Sequence, residues 1–88
     1  MALRELQQVV LTKDKPQDGL RAGDLGVIVD VSAEGSGYSV EFATLTGETI
    51  DVLLLDPDEI REVAPGDLAH VRAVGDDVSL GGKVKVTG

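Results

Sequence analysis

Leu25-Gly26-Val27-Ile28-Val29-Asp30-Val31, followed by Tyr38-Ser39-Val40-Glu41-Phe42, decides the fold class. The second run alternates strictly, with Tyr38, Val40 and Phe42 on one side and Ser39 and Glu41 on the other. That is the period of a half-buried strand. In the first run, period two places Val27, Val29 and Val31 together on the core face and Asp30 opposite. Ser32-Ala33-Glu34-Gly35-Ser36-Gly37 between them reads as a hairpin tip, so the two runs predict an antiparallel pair.

The same signals recur outward. Val9-Val10-Leu11-Thr12 predicts a first strand, and Met1 to Gln8 a helical turn or lead-in strand. Lys13 to Gly23 sets Pro16, Gly19 and Gly23 among charges, a loop. After a turn at Gly47, Thr49 to Leu55 predicts a strand with Ile50, Val52 and Leu54 on the core face. Pro57 cannot lie inside a central strand, so Asp56 to Ile60 is a tight turn before the closing strand Arg61-Glu62-Val63. Beyond Ala64-Pro65-Gly66, the runs Leu68 to Val74 and Lys83 to Val86 both alternate, with turn residues Asp76, Asp77, Gly81 and Gly82 between them. They predict an added C-terminal β-hairpin or ribbon. No amphipathic helical pattern of useful length interrupts the strands, so an all-β barrel follows.

Composition narrows the function classes. The chain has 88 residues, the size of one domain, with a barrel over 1–63 and a C-terminal β extension over 64–88. Tyr38 and Phe42 are its only aromatic residues, so valine, leucine and isoleucine must build the core. With no cysteine there is neither a disulfide framework nor a thiolate metal site, which fits a reducing, cytoplasmic setting. The longest apolar stretch, Val52 to Leu55, is far too short to span a membrane, and the N-terminus lacks the apolar run of a secretory signal. A formal net charge of −8 argues against nucleic acid and anionic membranes; it leaves basic proteins, basic peptides and cations as candidate partners, although plain solubility is the simpler account of it.

Leu20-Arg21-Ala22-Gly23-Asp24-Leu25-Gly26-Val27-Ile28-Val29-Asp30-Val31, with Val40-Glu41-Phe42 after it, resembles the opening of an SH3-like or KOW-like barrel. Taken with Val9 to Thr12, Pro16, Gly19, Tyr38 to Phe42, Gly47 and Asp58-Glu59-Ile60-Arg61, the chain is similar to a family of small uncharacterised bacterial domains, over roughly residues 5–63. The resemblance implies a small SH3-like barrel of about five short antiparallel strands. For activity it implies only an accessory or toxin-neutralising role, and Ala64 to Gly88 departs from its pattern.

The candidate chemistry is sparse. Gly35-Ser36-Gly37 lacks the following helix and the lysine of a phosphate loop. Asp56, Asp58 and Glu59 lack the alternating ligands and central glycine of a calcium loop, because Pro57 and Ile60 intervene. His70, the only histidine, has no recognisable nucleophile to serve. The expectation is therefore no enzyme, no cofactor and no metal.

One feature points to a surface. With Ile50, Val52 and Leu54 inward, Leu53 and Leu55 would lie outward beside Asp51 and require cover. The cover could be the chain's own C-terminal hairpin, a second subunit or a partner protein. The candidate interface is Leu53, Leu55, His70, Arg72, Val84 and Val86 of a homo-oligomer. The candidate basic-partner loops carry Asp14, Asp18, Asp56, Asp58 and Glu59. The function expected is a self-associating protein-binding or assembly module. The alternative is a toxin-neutralising, antitoxin or immunity-type protein, and a KOW-like nucleic-acid or ribosome-associated module comes third.

Overall fold

Five of the expected strands form, between Gln8 and Glu62, and the computed structural model describes residues 3–74. In chain order they are β1 (Gln8–Leu11), β2 (Leu25–Val31), β3 (Tyr38–Ala43), β4 (Thr49–Leu55) and β5 (Ile60–Glu62). Single 3-10 turns at Pro16–Asp18 and Pro57–Glu59 punctuate the loops, each opened by its proline. Asp56 and Glu59 close the second turn as a capping box.

All pairings are antiparallel, in one sheet of order β4-β3-β2-β1-β5. The outermost strands, β4 and β5, are consecutive in the chain, and only Asp56 to Glu59 separates them. In a flat sheet of this order those edges would stand about 19 Å apart. So short a link, with its 3-10 turn, cannot run that far at full stretch beside the strands it joins. The sheet therefore curls round its inner face into an open barrel. That face carries one cluster: Val9 and Leu11 of β1, Ile28 of β2, Tyr38, Val40 and Phe42 of β3, Leu55 of β4 and Ile60 of β5. Leu3 and Leu20 close it from the flanking segments.

Two bulges supply the curl and change which residues face inward. In β2, Ile28 pairs with Val40 and Asp30 with Ser39, leaving Val29 as the extra residue. Ile28 is buried, Val31 packs on the core and Val29 is exposed, so the expected run Val27, Val29 and Val31 holds only in part. In β4, Ala43 pairs with Thr49 and Phe42 with Asp51, leaving Ile50 unopposed. Beyond that bulge the faces reverse. Leu55 is only 2% exposed and Leu53 packs on the core, whereas Val52 and Leu54 are 49% and 75% exposed.

The C-terminal expectation is corrected as well. Leu68 to Val74 forms no strand. At Gly66 (φ +94°) the chain turns away from β5, with the Asp67 N–H on the Ala64 carbonyl at 3.0 Å. Residues 64–74 run as a strap, without a neighbouring strand to pair with. The expected Lys83 to Val86 strand lies outside the described residues, as do Val84 and Val86 of the candidate interface.

Candidate functional site

The strap is held to the barrel by two arginine–aspartate pairs. At its base, Arg61 on β5 donates from Nη1 and Nη2 to the Asp67 carboxylate, at 2.9 and 3.1 Å. The same carboxylate accepts the Ala64 N–H at 2.7 Å. Arg61 first, and then this N–H, hold the Asp67 carboxyl down at about 2.

At its far end the strap delivers Arg72 to Asp24, on the turn that opens β2. The turn is fastened to β1, with the Gly23 N–H on the Leu11 carbonyl at 2.7 Å and the Leu11 N–H on the Asp24 carbonyl at 2.9 Å. The Asp24 carboxylate accepts the Arg21 N–H at 2.8 Å, which fixes its direction. Arg72 then donates to it from Nε at 3.0 Å and from Nη2 at 2.6 Å. Nη2 also reaches the Gly19 carbonyl at 3.0 Å. Gly19 ends the first 3-10 turn in the left-handed conformation (φ +73°), which an L side chain would strain. Both ion-pair side chains are less than one-fifth exposed. Burial disfavours the Asp24 anion, but Arg72 and the Arg21 N–H outweigh it and hold the carboxyl below its ordinary range.

Between strap and barrel runs a groove of about 750 Å³. Val10, Leu25, Phe42 and Ile50 line its barrel side, and Leu68 and Val71 its strap side. Of the sequence-derived interface set, His70 and Arg72 border this groove. Leu55 cannot present a surface because it lies in the core, and Leu53 packs against that core. The exposed leucine of β4 is Leu54.

The acidic loops are largely engaged in their own turns. Asp14 accepts the Ala22 N–H at 2.9 Å. The Glu59 carboxylate accepts the Asp56 N–H at 2.9 Å and binds Lys15, while Lys13 stands 3.7 Å from Asp58. Asp18, Asp56 and Glu59 thus gather round Lys15. Asp18 also meets the carboxyl of Asp51 on β4; burial first, and then Asp51, raise the Asp18 pKa above its ordinary value. Asp51 was not among the residues the sequence singled out, and a lone charge within an apolar strand is the signal it carries. Among the described residues no group of three or more His, Cys, Asp or Glu is placed to hold a metal ion, and no helix is long and apolar enough to cross a membrane.

A family model described as a domain of unknown function, DUF4926, matches residues 5–62. The chain belongs to that family. No curated protein and no solved structure matches it. The matched DUF4926 residues contain all five strands together with Gly19 and Asp24, whereas the strap and Arg72 lie beyond them.

Proposed function

We propose that this DUF4926 domain is a non-enzymatic binding and assembly module of the SH3-like type, which self-associates through β4. The strand order and the single 3-10 turn between β4 and β5 support the SH3-like reading. The observation that carries self-association is the pair Val52 and Leu54, exposed on an edge strand of seven residues. Among the described residues β4 pairs only with β3, so its other edge can add a strand from a second chain, with the Val52 N–H held meanwhile by the Asp51 carboxylate at 2.8 Å. Two copies pairing β4 to antiparallel β4 would make a two-fold interface and bury both apolar side chains.

Molar mass by light scattering tests this directly. The full chain is expected as a dimer or larger, and Leu54→Lys as a monomer with an unchanged circular dichroism spectrum. A native chain that stays monomeric at high concentration removes the reading.

A second reading, toxin neutralisation, is supported by the acidic residues gathered round Lys15, whose negative charge would suit a partner with a basic surface. Its test is a tight, salt-sensitive complex with the product of a neighbouring gene.

A further inference from the structure

We propose that the Asp24 carboxylate and the Gly19 carbonyl form an arginine-recognition site for an extended partner peptide, and that Arg72 of the strap occupies it as an intramolecular stand-in. The proposal rests on the binding-module reading but uses a different surface from the β4 edge.

The acceptors suit a guanidinium. Two carboxylate oxygens and one carbonyl receive Nε and Nη2 in three hydrogen bonds between 2.6 and 3.0 Å. A planar fork meets that arrangement, and a lysine ammonium does not. The site is also built from groups outside the strap. The Arg21 N–H aims the carboxylate, β1 holds the turn, and the left-handed Gly19 belongs to the first 3-10 turn. Every one of these groups falls within residues 5–62, and the arginine comes from outside them.

The strap contacts the barrel as a bound peptide does. From Leu68 to Val74 only Arg72 is partly buried, while Leu68 and Val71 are 92% and 75% exposed. Among the described residues no core residue lies beyond Ile60. A segment needed for folding would bury its leucine and valines. Beyond its base at Asp67, this one inserts a single charged side chain and leaves its other side chains exposed. The groove it leaves, with Val10, Leu25 and Phe42 on its wall, gives room to the apolar residues that would flank an arginine. The net charge of −8 draws cationic peptides toward it.

A strap that fills the site in cis lowers the apparent affinity for a peptide in trans by the fraction of time the site is open. The probe is a blocked peptide of the strap's own sequence, Ala69 to Val74, beside the same peptide carrying lysine in place of Arg72. Each is titrated into the full native chain and into the full chain carrying Arg72→Ala, with amide shifts followed by NMR. The Arg72→Ala chain is expected to bind the arginine peptide with a Kd lower than the native chain's by about tenfold or more. The lysine peptide is expected to bind more weakly by about the same factor. Shifts are expected to centre on Gly19, Asp24 and Leu25, and Asp24→Asn on the Arg72→Ala background is expected to abolish them. Because Asp24 also holds the Arg21 N–H, the shift map in the Arg72→Ala chain locates the peptide without altering the site. Equal affinity for both chains, equal affinity for both peptides, a shift map elsewhere, or no binding up to about 1 mM overturns the proposal. A native chain that is monomeric by light scattering, while Arg72→Ala binds the arginine peptide, removes β4 self-association and leaves this site standing.

Discussion

A Cβ built on Gly26 would lie 2.5 Å from Val40 Cγ1, 2.9 Å from Phe42 Cε1 and 3.1 Å from the Glu41 carbonyl. Gly26 is buried in β2, and β3 passes so close that two of its core side chains cross the space a methyl would need. Gly26→Ala is therefore expected to destabilise the barrel by about 1–3 kcal/mol, as overpacking does. Urea unfolding checks it, and an unchanged midpoint would mean that β3 yields freely there. In the sequence this glycine stands within a strand pattern, which marks a close approach without naming the neighbour. Tyr38, Val40 and Phe42 are a different case. Their strict alternation identifies them as core, and they are buried. Asp24 reads only as turn chemistry in the sequence, since its arginine arrives from 48 positions away.

At the scale of elements, β3 follows its alternation while β2 and β4 do not. Val27-Ile28-Val29 and Val52-Leu53-Leu54-Leu55 are apolar on both faces, so periodicity cannot choose between them. The bulges at Val29 and Ile50 make the choice, and they exist because the sheet must curl. The strap is the element most open to electrostatic control. Asp67 has its folded pKa depressed to about 2 from an ordinary 3.8. A depressed carboxyl contributes stability that is fully present above the unfolded value and lost as pH falls through the folded one. The base of the strap is therefore expected to hold from neutral pH down to about 4, and to loosen between there and about 2. Asp67→Ala removes both the Arg61 pair and the acceptor of the Ala64 N–H, so exchange of the Ala64 amide is expected to quicken about five- to tenfold at neutral pH. An unchanged exchange rate would show that the turn at Gly66 holds the strap unaided.

At the scale of the molecule, the core residues among those described run from Leu3 to Ile60, and the last described strand ends at Glu62. A chain ending at Val63 is accordingly expected to keep its strands and its cooperative unfolding, while losing the Arg61–Asp67 pair and the bonds of Arg72 to Asp24 and Gly19. The Asp24–Arg72 pair is partly exposed, so its loss is expected to cost about 1 kcal/mol. A truncated chain without a thermal transition would mean that the barrel needs residues beyond its own core. The all-β class and the places of the five strands from Gln8 to Glu62 are properties of the sequence alone, whereas the strand that alternation predicts over Leu68 to Val74 does not form. Alternation and turn-forming residues act over a few positions and need no distant partner. Three things were decided only by the tertiary structure: which leucines of β4 face inward, that Leu68 to Val74 runs as a strap, and that Arg72 meets Asp24 and Gly19. Each depends on the curl of the sheet, which sets where the bulges fall and which surface the returning chain crosses. Curvature of that kind arises from all five strands together and has no signature in any one of them.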